Sequence, residues 1–306
     1  MDDMHGSRWG DIRWTICLAA LVLVLPALPG CARQQQVEDA AGATAGSAAA
    51  AVDAGIDNLN AVLWMQSAVE YRATSLQAYA LGRRVLDEAL ADPGWTAALE
   101  QTGDYAGLPP AVILDVDETV LDNSYFEARL TLDRQRYSSA VWDEWVLEEA
   151  ATPIPGAREF LEYAVSRGVT IFYVSNRRAH LEQATSANLA AAGMPISEGL
   201  DTLLLRGEVA AWETSDKTPR RQAVAASHRV LMMFGDNMGD FTAASDGTVA
   251  ERDAFAAAHR DWWGTRWITL ANPTYGSFID AVLGEATGAP WEQQVQRKKQ
   301  ALDPKR

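Results

Sequence analysis

Two carboxylates that lie two residues apart form the part of this 306-residue chain best suited to chemistry. Asp115 and Asp117 follow the apolar run 111–114, which is typical of a buried strand. Ligands of parallel α/β sheets bind where strands end, and alternate strand residues share a face. The two carboxylates repel each other unless a metal or another cation lies between them. Alone, Asp117 would be a helix cap or a turn residue, but the pair indicates a functional site.

Strand patterns alternate with helix patterns over residues 57–290, which predicts an α/β fold with a mainly parallel sheet covered on both faces. The predicted strands lie at residues 111–115, 169–174, 202–205, 230–234 and 267–270. A helical extension is predicted at residues 57–92 and a helical insertion at about 124–152. Residues 291–306 are predicted to form a polar C-terminal tail.

Further polar residues stand where later strands end or the next helices begin. They are Ser175, Asn176, Lys217, Asp236 and Asp240. Taken singly, each has an ordinary structural explanation: helix caps for the first two, a solvated side chain for the lysine, and a Gly-Asp-Asn turn for the aspartates. Their shared position at one edge of the sheet predicts that they meet Asp115 and Asp117 in one site.

Two strings of the sequence are similar to the signatures of bacterial class C acid phosphatases. The first is Ile-Leu-Asp-Val-Asp-Glu-Thr-Val-Leu-Asp-Asn at 113–123, and the second is Met-Met-Phe-Gly-Asp-Asn-Met-Gly-Asp-Phe at 232–241. This family belongs to the haloacid dehalogenase (HAD) superfamily and includes lipoprotein 5′-nucleotidases. The resemblance covers about residues 58–276. It implies a HAD-type Rossmann-like three-layer sandwich with a mainly parallel sheet, a small helical cap insertion and an N-terminal helical extension.

The resemblance implies a catalytic role for each residue of the motifs. Asp115 attacks phosphorus and forms an aspartyl phosphate, and Asp117 protonates the leaving group and later activates water. The residues that bind the transferring phosphoryl group are Ser175, Asn176 and Lys217. The assignment agrees with the physical needs of phosphoryl transfer, which are an in-line nucleophile, charge neutralisation and a proton for the leaving oxygen.

The cofactor that the resemblance implies is Mg²⁺, and an oxygen-rich site that also contains phosphate suits this ion. Its expected ligands are the Asp115 carboxylate, the Asp117 backbone carbonyl and Asp236. Asp240 is expected to be either a further ligand or a support for the others.

Nucleotidase members of the family hold the base in an aromatic clamp. By motif position the matching residues are Trp142 and Tyr275, with Leu121 beside them. Stacking on aromatic faces tolerates different bases. The alternative is that both aromatic residues belong to the core. Phe126 stands where the family commonly has Tyr, which puts the substrate preference in doubt rather than the activity.

The composition limits the partners of the chain. A net charge of −15 argues against nucleic-acid binding. The family resemblance implies small phosphomonoesters as the partners. The chain has only two cysteines, Cys17 and Cys31. Because both lie near the N-terminus, the folded part has neither a disulfide nor a thiol for metal binding or nucleophilic attack.

Residues 1–30 are predicted to be a lipoprotein signal peptide. The run 16–28 is almost entirely apolar, and the following Leu-Pro-Gly-Cys resembles the bacterial lipoprotein processing box. Cleavage there would leave a lipidated Cys31, followed by a disordered tether through residue 56. The expected location is the bacterial cell envelope, attached to a membrane by this anchor, and Ala32 favours the outer membrane. A chance cysteine after a signal peptide is the alternative.

The sequence as a whole predicts a Mg²⁺-dependent acid phosphatase that hydrolyses phosphomonoesters, including nucleoside 5′-monophosphates, through an aspartyl phosphate. One alternative is a phosphotransferase of the same superfamily. The other is a non-enzymatic binding lipoprotein, which the presence of Asp115 argues against. The oligomeric state is left open, with a homodimer among the options.

Overall fold

The computed structural model describes residues 57–305. The strands in this range are β1 (Pro110–Leu114), β2 (Leu121–Asp122), β3 (Thr152–Pro153), β4 (Thr170–Arg178), β5 (Leu203–Arg206), β6 (Arg229–Gly235) and β7 (Trp267–Thr269). Five of them form a wholly parallel sheet in the order β5-β4-β1-β6-β7, and β2 pairs with β3 in an antiparallel ribbon. The predicted signal peptide, Cys31 and tether lie outside the described residues.

The central strand β1 marks the point where the chain changes direction across the sheet. β4 and β5 lie on one side of β1, and β6 and β7 lie on the other. Leu114, the last residue of β1, is paired with Tyr173 of β4 and with Phe234 of β6. Open α/β sheets bind ligands beyond the strand ends at such a change of direction. The loop after β1 therefore begins where a site is expected.

The side chains of β1 alternate between two hydrophobic cores. Val112 and Leu114 pack in one core, and Ala111 and Ile113 pack in the other. A parallel sheet with apolar side chains on both faces needs helices on both faces. The predicted α/β fold with a covered, parallel sheet is confirmed.

Helices cover both faces of the sheet. The α-helices of residues 57–305 are α1 (Leu59–Ser67), α2 (Val69–Ala91), α3 (Ser124–Asp133), α4 (Ser139–Leu147), α5 (Ala157–Ser166), α6 (Glu182–Ala191), α7 (Thr218–Ser227), α8 (Met238–Phe241), α9 (Val249–Ala258), α10 (Ser277–Leu283) and α11 (Trp291–Ala301). Tyr79 of α2 stacks on Phe234 of β6 with ring centroids 5.4 Å apart, while Val224 of α7 packs in the opposite core. None of the helices in this range is both long enough and apolar enough to cross a membrane.

The predicted helical extension consists of two helices rather than one. Ala68 separates them and has an extended backbone, with φ −77° and ψ 132°. α1 packs against α3, whereas α2 packs against α5 and β6. The break therefore gives each helix its own packing direction. α2 ends at Ala91, because Asp92 precedes a proline and is disfavoured in a helical conformation.

The insertion after β2 forms α3 and α4. Arg134 ends α3 in the left-handed conformation with φ 53°, and the Ser138 side chain caps α4 by accepting a hydrogen bond from the Val141 N–H at 3.4 Å. The insertion begins directly after β2, the short strand that follows Asp115 and Asp117. It is therefore placed to supply side chains to the same site.

Residues 291–301, predicted as part of a polar tail, form α11 beside α10. Lys298 of α11 forms an ion pair with Asp57, just before α1. The polar composition of this segment did not predict a helix, because most of the helix surface is exposed to water. Trp291, its first residue, is partly buried and lines the cavity described below.

Candidate active site

The backbone turns sharply after β1, which directs both aspartates toward a cavity of about 700 Å³. The Asp115 N–H still donates to the Phe234 carbonyl of β6, at 3.0 Å. Three residues later Glu118 adopts a left-handed conformation with φ 51°, which is uncommon for a residue other than glycine. The buried Glu118 carboxyl accepts a hydrogen bond from the Asn123 N–H at 2.9 Å and holds this turn.

Lys217 is the cation that lies against the first aspartate. It precedes α7, and its Nζ lies 2.5 Å from Asp115 Oδ1 and 2.6 Å from Asp240 Oδ1. Its side chain is only 5% exposed. Burial alone would lower the pKa of Lys217, but Asp115 and Asp240 outweigh burial and raise it. The lysine is therefore a fixed positive charge between two carboxylates.

Three carboxylates gather beside this lysine. Oxygens of Asp115, Asp236 and Asp240 lie within 4.8 Å of one another. Burial raises the pKa of Asp115 to about 7, although Lys217 opposes it, and burial with the two neighbouring aspartates raises the pKa of Asp236 well above its usual range. One lysine leaves this cluster short of positive charge. An all-oxygen donor set with more negative than positive charge fits a divalent metal ion.

Hydrogen bonds from neighbouring loops fix the orientation of this cluster. Asp236 Oδ2 accepts from Asn272 Nδ2 at 2.9 Å, and Asp236 Oδ1 accepts from the Thr119 hydroxyl at 3.3 Å. Asp240 Oδ2 accepts from the Asn237 N–H at 2.9 Å, as part of the capping box that begins α8. Both oxygens of Asp240 are engaged, because Oδ1 contacts Lys217.

Asp117 lines the same cavity, but its carboxylate bonds to a different set of residues. Arg177 Nη2 donates to Asp117 Oδ1 at 2.8 Å, and Asn123 Nδ2 donates to the same oxygen at 2.9 Å. Trp145 Nε1 in turn donates to Asn123 Oδ1 at 2.8 Å. The Arg177 side chain is 1% exposed, so it forms a rigid support. The Asp117 carboxylate is not part of the three-aspartate cluster, and the contact of the Asp117 backbone carbonyl with a metal stays a prediction.

Ser175 and Asn176 occupy different environments. β4 extends to Arg178, beyond the predicted end at residue 174, so both residues lie within the strand. Ser175 is fully buried, and its hydroxyl accepts a hydrogen bond from the Arg177 N–H at 3.1 Å. Asn176 lines the cavity, and Arg220 Nη2 donates to its Oδ1 at 2.7 Å. Of the two predicted phosphate-binding residues in this strand, only Asn176 faces the cavity.

The aromatic residues predicted as a clamp both line the cavity, but Leu121 does not. Leu121 lies in β2 and is fully buried in the hydrophobic core, because β2 turns this side chain away from the site. Trp142 meets Phe126 edge-on, with ring centroids 5.0 Å apart. The Arg177 guanidinium lies 5.6 Å from the Trp142 ring centre. Trp142 and Tyr275 are therefore partly buried residues of the cavity wall, and Trp142 also packs against the hydrophobic core.

Comparison with known proteins agrees with this geometry. Residues 32–278 match the model of the HAD superfamily, subfamily IIIB (acid phosphatase). The chain belongs to this family. Its fold is similar to that of the class C acid phosphatase from Bacillus anthracis with tungstate bound, with a TM-score of 0.72 and 31% identity. That match covers 81% of this chain and 98% of the other, and a second structure of the B. anthracis protein matches equally well over 82% and 98%.

Two curated relatives match a smaller part of the chain. They are the stem 28 kDa and stem 31 kDa glycoproteins of Glycine max, each 26% identical over 129 residues, or 42% of this chain. The chain spans about half the length of these relatives, 51% and 44% respectively.

Three residues in or beside the candidate site received no role from the sequence. Arg177 and Asn272 were visible only as polar residues that follow strand patterns, and the same signal had found Asp236. Glu127 gave no signal, because an acidic residue in an amphipathic helix is expected in water. The structure instead places it on the wall of the cavity.

Proposed function

We propose that this chain is a Mg²⁺-dependent acid phosphatase that hydrolyses phosphomonoesters through an aspartyl-phosphate intermediate. The observation that carries the proposal is the position of Asp115. Its carboxylate borders the cavity, is held by Lys217 at 2.5 Å, and belongs to a three-carboxylate cluster that fits a divalent ion. A nucleophile, a fixed cation and a metal-binding group thus meet at one point.

In the first step, the Asp115 carboxylate attacks phosphorus and the bond to the leaving oxygen breaks. Asp117 donates the proton that converts the leaving oxygen into an alcohol. In the second step, Asp117 takes a proton from a water molecule, which attacks the aspartyl phosphate. The acyl-phosphate bond breaks, inorganic phosphate leaves, and Asp115 returns to a carboxylate. Lys217 and Asn176 hold the phosphoryl oxygens through both steps.

The residues that would hold Mg²⁺ are the Asp115 carboxylate, the Asp117 backbone carbonyl and Asp236, with Asp240 as their support. The ion supplies positive charge that offsets the phosphate and draws it to the nucleophile. The contacts of Asn272 and Thr119 to Asp236 keep that carboxylate in place.

Nucleoside 5′-monophosphates are proposed as substrates. Support comes from Trp142 and Tyr275, which line the cavity that also contains Asp115 and Asp117. Aromatic faces of this kind can stack with a nucleobase. A cavity of about 700 Å³ has room for more than a phosphate group.

A lipid anchor at Cys31 is proposed to attach the enzyme to a membrane of a bacterial envelope, with residues 31–56 as the tether. The support is the Leu-Pro-Gly-Cys string after an apolar run. Labelling with a palmitate analogue tests it. Label on the wild type that is absent from Cys31→Ser is expected, and equal labelling of both would contradict the anchor.

The test of the enzymatic proposal is phosphate release by the purified full-length chain with Mg²⁺ or with a chelator. The substrates are a nucleoside monophosphate, a sugar phosphate and an aryl phosphate, each at acidic and neutral pH. Asp115→Asn is expected to lose activity by about 10⁴-fold or more, because it removes the nucleophile. The matched control is Asp104→Asn, an identical change at an exposed position outside the cavity.

A folded wild-type chain that released no phosphate from any ester would refute the proposal. Activity that survives complete chelation would refute the metal requirement. Trapping of ³²P on the wild type, and not on Asp115→Asn, is expected for an aspartyl phosphate.

A further inference from the structure

Glu127 is a buried carboxyl that the proposed mechanism does not use. It lies on α3, is 7% exposed, and lines the cavity. Within residues 57–305 its carboxyl accepts one hydrogen bond, from the neutral amide of Asn58, with Nδ2 3.4 Å from Oε2. No basic side chain among residues 57–305 forms an ion pair with it. A buried carboxyl without a cation is destabilising, so this arrangement gives no structural benefit.

Glu127 lines the same cavity as Trp142 and Tyr275. Asn58 links it to the loop that carries Tyr275, because Asn58 Nδ2 also donates to the Thr274 carbonyl at 3.0 Å, and Thr274 precedes Tyr275. The carboxyl therefore belongs to the cavity that would hold the alcohol part of a phosphomonoester.

The charge of the cavity also favours a cation. Seven carboxyl groups and four basic side chains line it. A divalent ion in the three-aspartate cluster would offset only part of this excess. Aromatic faces such as those of Trp142 and Tyr275 attract cations, and a carboxylate forms strong hydrogen bonds with an ammonium group.

We propose that Glu127 is a specificity-determining residue that binds a protonated amine on the leaving alcohol, so that amino-alcohol phosphomonoesters are preferred over alkyl phosphomonoesters of the same length. This inference rests on the proposed phosphatase function. The ammonium group would be the positively charged partner that the buried Glu127 carboxylate lacks among residues 57–305. Its N–H groups would donate to the carboxylate, and Trp142 and Tyr275 would flank the alkyl chain.

The test compares two series of substrates for the full chain at neutral pH, where alkylamines are protonated. One series is ω-aminoalkyl phosphates with two to six carbons, and the other replaces the ammonium group by a methyl group. At the best chain length, the kcat/KM ratio of amine to methyl ester is expected to be about 10 to 100, as for a hydrogen bond to a charged group. In Glu127→Gln the ratio is expected to fall close to one.

A ratio between two substrates of one variant is independent of the amount of folded enzyme. Glu144→Gln is the matched control, because it removes an exposed carboxyl of the same insertion that does not line the cavity. It is expected to keep the wild-type ratio. If Glu127→Gln does not fold, Glu127→Asp, which shortens the same side chain, is expected to reduce the ratio.

Two outcomes would overturn the inference: a wild-type ratio near one at every chain length, or a wild-type preference that persists in Glu127→Gln. In both cases hydrolysis of the esters would leave the phosphatase proposal standing. The absence of release from either series and from 4-nitrophenyl phosphate would instead overturn the phosphatase proposal, and this inference with it.

Discussion

Arg177 supports the side chain that we propose as the proton donor. Its Nε and Nη2 lie 3.1 Å and 2.8 Å from Asp117 Oδ1, and its Nη1 lies 3.3 Å from the Thr185 hydroxyl. The guanidinium is thus fixed at both ends. It sets the direction in which the Asp117 carboxylate faces the cavity.

Arg177→Lys is expected to impair proton donation while it keeps the charge, because an ammonium group cannot reproduce the two-nitrogen contact. A poor leaving group needs the proton most. The kcat for an alkyl phosphate is therefore expected to fall by about 100-fold, and that for 4-nitrophenyl phosphate by much less. Steady-state kinetics on the two esters measures the difference.

Arg178→Lys is the control, since the next residue is exposed and does not line the active-site cavity. An equal loss on both esters in Arg177→Lys would contradict the prediction. It would indicate that Arg177 acts through folding or through phosphate binding instead.

At the level of single residues, the sequence predicts those whose chemistry and strand-end position coincide. Asp115 and Asp236 were predicted in this way, and Lys217 was predicted from its position at the start of a helix. The roles of Arg177 and Glu127 come from buried contacts with residues that are far away in the sequence. Arg177 contacts Asp117, and Glu127 contacts Asn58. No local sequence pattern predicts such contacts. Leu121 was predicted to lie in the site but is buried in the core, because motif position alone does not tell which face of a two-residue strand points toward the core.

The junction of β6 and α8 positions two of the three clustered carboxylates. Gly235 ends β6 and packs directly against Asp240. A Cβ at Gly235 would collide with the Asp240 side chain, with only 2.6 Å to its Cγ. The strand can therefore approach the helix closely only because residue 235 has no side chain.

Gly235→Ala is expected to lower kcat/KM by about 100-fold, because it displaces Asp240 from Lys217 and disturbs the metal-binding cluster. Phosphate release at saturating Mg²⁺ measures the effect, and thermal unfolding reports whether the fold is kept. Gly239→Ala is the control in the same short helix. A Cβ there meets its nearest atom, Ser245 Oγ, at 3.4 Å, which is an ordinary contact.

Activity of Gly235→Ala close to that of Gly239→Ala would contradict this account. It would mean that the helix moves away from the strand without cost to the site.

Secondary-structure elements were predicted most accurately where the burial of the residues and the period of the hydrophobic pattern indicate the same element. The central strands β1 and β6 are apolar on both faces, so their positions follow from composition alone. β4 runs past its apolar part to Arg178 because Arg178 still pairs with Arg206 of β5, and that pairing is invisible in the local sequence. α11 was missed since a polar helix carries no core-facing pattern.

In the molecule as a whole, the charged residues of the candidate site lie within an otherwise apolar fold. The three clustered carboxylates and Asp117 stand, with Lys217 and Arg177, at the carboxyl edge of a sheet whose two faces are hydrophobic cores. Such a site costs stability, because each group loses water when the chain folds. The pH dependence of the free energy of unfolding therefore measures the cost of burying these groups. Glu127 is the clearest case, because no charged partner among residues 57–305 offsets the burial of its carboxyl.

Burial raises the pKa of Glu127 to about 7, which the hydrogen bond from Asn58 only partly opposes. In the unfolded chain a glutamate titrates near pH 4.3, or about its usual value. Between these two pH values the unfolded state releases a proton that the folded state keeps, so the free energy of unfolding falls as the pH rises. Glu127→Gln removes this loss. Its stability relative to the wild type is expected to increase from pH 5 to pH 8, by up to about 3 kcal/mol. Urea unfolding of both proteins at a series of pH values, with chelator present, measures the change. A stability difference that stays constant across this range would show that the Glu127 carboxyl gains water or a cation in solution.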